Sequence, residues 1–342
     1  MARKKTARKR STGKKSTKRK STRRESASTS LSKILGVLAV LVAVVVTTAI
    51  TAHFIIAPHR SREAKKPVAT STKPVPRERP APTQAAVPPT VTKPPTYEIY
   101  PTRDFPGDRP PMPPVERARP AVAIIIDDMG YNRIISEKFS QLNTALTFSV
   151  LPHSPYKTSI IKNASDHGIE IMLHLPMEPN EYPKVSPGPG ALLASMSADE
   201  LIDRLNRNLD DVPLAKGVNN HMGSGLTSSS FQMNQIFSIL KKRDLFFIDS
   251  RTTKETVTWQ SARLLQVPFS QRDIFLDHVQ EQAFVEKQIR ALIKAAQRHG
   301  EAVGIGHPYQ VTLEVLAEML PEIKKQVDIV PASEVVHLIP YT

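Results

Sequence analysis

From Ala121 to the end of the chain, short apolar runs alternate with amphipathic stretches, and this pattern limits the fold more than any other feature. The strand-like runs cover residues 121–126, 145–150, 169–174, 216–220, 245–249, 265–269, 302–306 and 327–330. The clearest helix-like stretches are residues 197–209, 229–242, 280–299 and 312–325. Alternating strands and helices predict a parallel sheet with right-handed crossovers. About eight repeats in about 220 residues favour a compact β/α barrel over an open sheet.

Two of the predicted helices carry recognisable end signals. Ser197 is followed three residues later by Glu200, the spacing of a capping box in which each side chain bonds the other residue's backbone N–H. The stretch over residues 280–299 places its apolar side chains on one face and is followed by Gly300, a favoured C-cap residue. These signals predict a helix start at Ser197 and a helix end at Gly300.

The first run, Ala121–Ile126, is apolar throughout and ends in two acids, Asp127 and Asp128. A strand buried on both faces has this composition, so the two carboxylates are predicted at its carboxyl end, where α/β folds gather their ligands. Adjacent carboxylates repel each other, and they persist together when a metal or a shared proton offsets the repulsion. The alternative is an Asp-Asp turn or a helix N-cap before Arg133.

Three histidines occupy similar positions, because His174, His221 and His307 each follow a strand-like run. A single histidine at a strand end is more often a satisfied core or loop residue than a ligand. Three such histidines together with an Asp pair are much less likely to be a coincidence. If the strands are parallel, their carboxyl ends lie on one face, which would bring all of these side chains together. Carboxylate plus imidazole is a ligand set suited to Zn, Fe, Mn, Co or Ni.

The amino-terminal part of the chain predicts an attachment to a membrane. Residues 1–33 contain 14 Lys or Arg and one Glu, a net charge of +13 out of +15 for the whole chain, so the remainder is nearly neutral. Residues 34–57 are uncharged apart from His53 and long enough to form a transmembrane helix. Basic flanks stay in the cytoplasm, which predicts a single-pass inner-membrane protein whose folded part is periplasmic or otherwise outside the cytoplasm.

The regions on either side of the predicted anchor have compositions of their own. Residues 1–33 are predicted to be a disordered cytoplasmic arm that sets topology; the alternative is an arm that binds nucleic acid or anionic lipid. The arm contains no aromatic residue to stack on bases, so no specific nucleic-acid partner is expected. Residues 58–120 hold 17 of the 30 prolines, which predicts an extended linker, and residues 121–342 are predicted to be one domain.

Composition and missing motifs exclude several reaction classes. The chain has no Cys, so it has no disulfide, thiolate ligand or thiol nucleophile. Serines near His221 raise the alternative of a serine hydrolase, but the chain contains no G-x-S-x-G elbow. It also contains no Gly-rich phosphate loop, which argues against a nucleotide enzyme.

Five short motifs in a fixed order resemble those of a known family. They are Ile-Ile-Asp127-Asp128, His174-Leu-Pro-Met-Glu178-Pro, Asn219-Asn-His221-Met-Gly-Ser, Phe247-Ile-Asp249-Ser-Arg251 and Gly306-His307-Pro. Together, over roughly residues 120–340, they look like the divergent polysaccharide deacetylases, distant relatives of the NodB-homology carbohydrate esterases. The resemblance implies an irregular (β/α) barrel of the NodB/polysaccharide deacetylase type and a bound divalent metal. In this chain the predicted transmembrane helix and the Pro-rich linker would precede the barrel.

The resemblance also implies metal ligands at particular positions. Asp128 matches the family's first metal ligand, and His174 matches the first histidine of its H-x-x-x-H-P motif. The second histidine of that motif is replaced by Glu178, which is therefore a candidate ligand. His221 stands where typical members carry an Arg-Pro-Pro-Tyr loop, and it is a candidate third ligand in place of the lost histidine. Zinc is the favoured metal, and Fe, Co, Ni and Mn also suit the set.

Catalytic roles follow from the same correspondence. Asp127 matches the catalytic base, and His307 matches the late histidine that acts as general acid. Asp249 and Arg251 match the segment that orients base and acid, with Asp249 expected to hydrogen-bond His307. A structural salt bridge to Asp249 is an equal alternative for Arg251.

The resemblance implies a metal-dependent hydrolase, and the predicted transmembrane helix would anchor it in the membrane. Its expected reaction is the removal of N- or O-acetyl groups from an envelope polysaccharide, with peptidoglycan as one candidate substrate. The alternative is an inactive module of the same fold that binds envelope glycan or scaffolds an envelope complex. The replacement at Glu178 and the unusual position of His221 keep this alternative open.

Overall fold

Within residues 117–341, the part of the chain that the computed structural model describes, strands and helices alternate as the sequence predicts. The strands are β1 Ala121–Met129, β2 Leu146–Val150, β3 Glu170–Met177, β4 Gly217–Met222, β5 Phe246–Asp249, β6 Phe269–Gln271, β7 Ile274–Phe275, β8 Glu301–Gly306 and β9 Asp328–Ile329. The α-helices are α1 Arg133–Ser140, α2 Lys157–Asp166, α3 Ala198–Asp211, α4 Ser230–Lys242, α5 Thr258–Leu265, α6 Gln282–His299 and α7 Gln310–Gln326. Short 3-10 helices cover Leu226–Ser228 and Ala332–Val335.

The nine strands form one sheet in the order β6-β5-β4-β3-β2-β1-β8-β7, and β9 pairs with β1. Every pairing between the named strands is parallel. The strands at the two ends of this order, β6 and β7, are separated in sequence only by Arg272 and Asp273. The backbone N–H of Arg272 bonds Asp249 O on one side, and that of Asp273 bonds Val303 O on the other. The sheet is therefore curled into an irregular barrel, as predicted.

Two apolar layers hold the sheet in place. The larger core packs the outward-facing strand residues against the helices, and it includes Phe148, Phe237 and Phe247. A smaller cluster fills the inside of the curled sheet; its members are Ala123, Ile125, Met172, Phe246, Ile248, Val303, Ile305, Ala332 and Val335. The last two belong to the 3-10 helix Ala332–Val335, which thus closes the amino end of the barrel. The carboxyl ends of the strands lie at the other end of the interior.

Most of the predicted elements are confirmed within one to three residues of their expected bounds. The capping box of Ser197 and Glu200 is present, and Gly300 ends α6 with a φ of 84°. The strand predicted over 265–269 is wrong, because Leu265 ends α5 and the strand begins at Phe269. The two-residue strand β7 was not predicted, since two apolar residues show no periodicity.

The predicted basic arm (1–33), the membrane anchor (34–57) and the linker up to residue 116 lie outside the described residues. Among the helices between residues 117 and 341, none is both long and apolar enough to cross a bilayer.

Candidate metal centre

Polar side chains replace apolar ones where the barrel interior reaches the carboxyl ends of the strands. Alternate residues of a strand face the same side. The residues two positions after the last inward-facing apolar residues of β1, β3, β5 and β8 therefore also face inward, and they are Asp127, His174, Ser250 and His307. On β4 the corresponding positions are Asn219 and His221. All six side chains are buried. Five of them, all except Asn219, line a single cavity of about 40 Å³, room for an acetyl-sized group or a few waters.

The two adjacent acids reach this site together because β1 is irregular at its end. In a regular strand, neighbouring side chains point to opposite faces. Here the register of β1 against β2 shifts between Ile126 and Met129, and Asp128 has a φ of 55°. A non-glycine residue in this left-handed region costs about 1–3 kcal/mol, and Asp tolerates it better than most. The helix N-cap alternative is wrong, since Asn132 caps α1 by accepting a hydrogen bond from Ile135 N.

Asp128, His174 and His221 present three ligand atoms that face one another. Asp128 Oδ1 lies 3.2 Å from His174 Nε2 and 3.0 Å from His221 Nδ1, and the two ring nitrogens are 3.2 Å apart. A tetrahedral ion with bonds of about 2.0–2.1 Å separates its ligand atoms by about 3.3 Å. The triangle therefore has the dimensions of one face of a divalent-metal site. Among the described residues, these three form the group that could hold a metal ion.

Unpartnered buried atoms support a cation at this position. Both carboxylate oxygens of Asp128 are buried and have no geometric hydrogen-bond partner among the described residues, although Oδ1 lies close to the two imidazoles. A buried carboxylate without donors is costly unless a cation compensates it. Burial opposes its ionisation, but the charges of His221 and His174 outweigh burial and hold the pKa of Asp128 well below its usual range. The residues present thus fit a divalent metal.

Asn219 links Asp127 to the candidate metal-ligand group, which consists of Asp128, His174 and His221. Its Nδ2 donates to Asp127 Oδ1 at 2.8 Å, so its Oδ1 is the acceptor for His174 Nδ1 at 2.9 Å and for the Ser149 hydroxyl at 2.5 Å. His174 therefore carries a proton on Nδ1, so Nε2, the atom that faces Asp128, is the nitrogen that would bind a metal. This arrangement is the kind of outer hydrogen bond that orients a metal-binding histidine.

Asp127 has the environment of a general base. Its Oδ2 lies 3.7 Å from His174 Nε2, outside hydrogen-bond distance. Burial raises the pKa of Asp127, although the charges of His174 and His307 and the hydrogen bond from Asn219 oppose the rise. A carboxylate with a raised pKa is a stronger proton acceptor near neutral pH.

His307 is held by Asp277 rather than by the predicted Asp249. His307 Nδ1 donates to Asp277 Oδ1 at 2.9 Å, while Asp277 Oδ2 accepts from His307 N at 2.5 Å and from the Thr312 hydroxyl at 2.7 Å. Burial lowers the pKa of His307, but the charge of Asp277 and this hydrogen bond dominate and raise it to about 9. His307 is therefore protonated at neutral pH, as a general acid requires.

The prediction for Asp249 is wrong because its side chain lies on the other face of β5. Inward-facing positions on β5 are Phe246, Ile248 and then Ser250, so Asp249 points away from the interior. Its Oδ2 accepts hydrogen bonds from the hydroxyls of Thr256 and Thr258 at the start of α5. The role of Asp249 is to fix the loop that follows β5.

Arg251, the second residue predicted in that segment, has a φ of 51° at the end of β5. Its backbone N–H donates to Asp249 Oδ1, and its carbonyl accepts a bond from Arg272 Nη2. These contacts concern its backbone, so the orienting role predicted for its side chain stays a prediction.

Glu178 is not part of the ligand group. Its Oε2 accepts a hydrogen bond from Ala194 N at 2.8 Å, and its carbonyl accepts from the backbone N–H groups of Gly225 and Leu226. It lies one residue beyond β3 and four beyond His174, where the chain has left the barrel interior for a long loop. The prediction that Glu178 replaces the second histidine as a ligand is therefore wrong, and the group that could hold a metal has His221, from the neighbouring strand, as its third member.

Three residues of the site were not predicted from the sequence. Asn219 lies two residues before His221 on the same strand face, so period-two counting could have found it. Asp277 follows the apolar run Ile274–Leu276 in the same way that Asp127 follows Ala121–Ile126, but that run is only three residues long. Arg272, which also lines the cavity, lies in the short connection between β6 and β7 and carries no sequence signal.

Comparisons with known proteins find similar sequences and a similar fold. The uncharacterized protein YibQ of Escherichia coli is 33% identical over 216 residues, which are 63% of this chain and 67% of that protein. An uncharacterized protein of Haemophilus influenzae is 34% identical over 213 residues, 62% of this chain and 75% of that protein. The crystal structure of the uncharacterized protein ATU2773 of Agrobacterium tumefaciens matches with a TM-score of 0.62 and 26% identity, over 65% of this chain and 92% of that one.

The sequence profile of one family matches residues 124–336, which include every member of the ligand group, Asp127, Asp277 and His307. That family is described as divergent polysaccharide deacetylase, and the match spans more than half of the chain. The chain therefore belongs to the divergent polysaccharide deacetylase family.

Proposed function

We propose that this protein is a metal-dependent hydrolase that removes acetyl groups from an envelope polysaccharide. The observation that carries the proposal is the buried triangle of Asp128, His174 and His221, whose two histidines line one cavity together with Asp127 and His307. A metal-ligand group, a candidate base and a candidate acid thus meet at one site.

Asp128, His174 and His221 would hold the metal, and zinc suits their two nitrogens and one oxygen. When bound, a divalent ion lowers the pKa of a coordinated water and polarises an acyl carbonyl. Asp127 lies close to the ligand group, where it can accept the proton of the attacking water. Asn219 keeps Asp127 in place and leaves its Oδ2 available for that proton.

His307 would act on the leaving group. In hydrolysis of an N-acetyl group the carbonyl carbon gains an oxygen from water, its bond to nitrogen breaks, and the products are acetate and a free amine. The departing nitrogen needs a proton, and His307 carries one at neutral pH because of Asp277. Asp277 is a positioning residue, since its contacts at the site are with His307 and Thr312 rather than with the space a substrate would occupy.

The cavity suits a small acyl group. Its volume is about 40 Å³, and Met222, Phe275 and Ile305 contribute apolar wall beside the polar groups. A methyl group would contact these side chains while the carbonyl faces the ligand group. Acetyl is therefore the acyl group that we propose, attached through nitrogen or oxygen.

The envelope location rests on the residues before the folded part. We propose that residues 34–57 anchor the chain in the inner membrane with residues 1–33 in the cytoplasm, and that residues 58–120 carry the domain towards a periplasmic glycan. A reporter fused to the carboxyl terminus should then be active only if it works outside the cytoplasm. Activity of a reporter that works only in the cytoplasm would refute this orientation.

The reaction is tested by measuring acetate release from chitooligosaccharides and from peptidoglycan fragments, with the zinc-loaded protein. The matched control is Asp127→Asn, which keeps the size of the side chain and removes the proton acceptor. Release by the wild type that falls by about 100-fold or more in the variant supports the proposal. A zinc-loaded wild type that binds these glycans without releasing acetate would favour the non-catalytic module.

A further inference from the structure

Arg272 is a buried cation of the cavity that the proposed reaction does not use. It lies in the two-residue connection between β6 and β7, is 5% exposed, and lines the cavity together with Asp127, His307 and Phe275. Its guanidinium carbon is 4.8 Å from the centre of the Phe275 ring. Stacking on an aromatic ring and burial both restrict the orientation of the guanidinium plane.

Two of the three guanidinium nitrogens of Arg272 make hydrogen bonds to the protein. Nε donates to Ser250 O at 2.7 Å, and Nη2 donates to Arg251 O at 3.0 Å. Nη1 is buried and has no hydrogen-bond partner, although it carries two of the five N–H donors of the group. Both partners are neutral carbonyls, so among the described residues the guanidinium makes no hydrogen bond to an anion.

A buried guanidinium without an anionic hydrogen-bond partner is unfavourable, which makes such a group a candidate ligand site. Burial lowers the pKa of Arg272 to about 10, although the charges of Asp249 and Asp127 oppose the fall, so the side chain stays charged at neutral pH. The cavity of about 40 Å³ suits a small group beside Arg272. Asp127 lines the same cavity and disfavours a dianion such as phosphate.

We propose that Arg272 is the anion anchor of the cavity and binds a carboxylate group through Nη1. A carboxylate is a small, planar acceptor with one negative charge, so it fits a guanidinium in a cavity of this size. Its source, which rests on the proposed function, is the acetate that hydrolysis leaves in the cavity. A carboxylate carried by a sugar of the glycan offers the same chemistry.

The test measures binding of acetate and of acetamide, its neutral isostere, to the full chain by calorimetry after divalent metals are removed with a chelator. The wild type should bind acetate at least 10-fold more tightly than acetamide. Arg272→Met should reduce this ratio to about one, because an uncharged side chain cannot distinguish the two. Arg290→Met is the matched control, since Arg290 is a surface residue of α6, and it should keep the wild-type ratio.

Two results would overturn the proposal. One is an unchanged acetate preference in Arg272→Met, and the other is acetate binding that disappears with the metal. If Arg272→Met does not fold, NMR of the arginine side chains replaces it. The signal that is present in the wild type and missing in Arg272→Lys belongs to Arg272. That signal should shift with acetate and stay unchanged with acetamide, and a signal that ignores acetate refutes the anchor.

A third ligand, glucuronate, identifies the source of the carboxylate. Binding of acetate alone supports the acyl product, and binding of glucuronate with an equal dependence on Arg272 supports a carboxylate on the sugar. Neither measurement requires turnover. A protein that releases no acetate from any glycan would refute the proposed function and leave the anchor proposal standing.

Discussion

Asn219→Ala should weaken zinc binding although Asn219 is not a metal ligand. The side chain is fully buried and bonds both His174 Nδ1 and Asp127 Oδ1. Without its amide oxygen, the imidazole of His174 loses the acceptor that keeps the proton on Nδ1. The proton can then reside on Nε2, the atom that faces Asp128, where it competes with a metal.

The expected size follows from these contacts. Removing an outer hydrogen-bond partner of a metal-binding histidine typically lowers metal affinity by about 10- to 100-fold, or about 1.4–2.7 kcal/mol. The substitution also removes one hydrogen bond from each of the four partners of this side chain, which are Asp127, His174, Ser149 and Ser250. Buried groups that lose a partner cost about 1–3 kcal/mol each, and partial compensation by water gives an expected loss of about 2–4 kcal/mol in the free energy of unfolding.

The control is Asn208→Ala. Asn208 is also fully buried, and its side chain bonds Gly190 O and His153 Nε2, away from the ligand group. Thermal unfolding and competition with a chromogenic zinc chelator are measured for both variants. Both should lose stability, and Asn219→Ala alone should lose zinc affinity. Equal zinc affinity in wild type and Asn219→Ala, or an equal loss in Asn208→Ala, would refute the reasoning about the histidine proton.

Three further predictions concern the other side chains of the site. Asp127→Asn should retain zinc while acetate release falls by about 100-fold or more, as metal analysis and a release assay will show; loss of zinc would instead make Asp127 a ligand. Because the pKa of His307 is raised to about 9, mainly by Asp277 acting against burial, wild-type activity should fall only above about pH 9. Asp277→Asn should shift this alkaline limb of the pH–rate profile to lower pH, and an unshifted limb would exclude His307 as the acid. Glu178→Gln should keep full zinc occupancy, since its carboxylate bonds Ala194 N, and a fall in occupancy would restore it as a ligand.

The sequence predicts the inward-facing part of the site well because strands have a period of two. Asp127, His174 and His307 each continue an apolar run and His221 lies near the end of a strand, and parallel strands bring such ends together. The same rule, counted from Ile248, assigns Ser250 to the interior and Asp249 to the outer face. A position in a motif does not determine the strand face, and for this reason the motif predicted the wrong partner for His307.

Other features depend on contacts that the sequence does not display. Asp128 faces the site only because of a register shift and a left-handed backbone that no local pattern requires. Asp277 follows a strand of two residues, and Arg272 lies in a connection whose position is set by the curling of the whole sheet. Glu178 has the right spacing from His174, but the chain leaves the strand before reaching it.

The most direct test of the account is the divalent-metal content of the purified chain after zinc loading and removal of free metal, measured by elemental mass spectrometry. The triangle of Asp128, His174 and His221 predicts about one zinc per wild-type chain, with occupancy lost in His221→Ala. His153→Ala, which changes a histidine that bonds Asn208 outside the ligand group, should keep the metal. A wild type that holds no divalent metal under any loading condition, or a His221→Ala variant with full occupancy, would contradict the account.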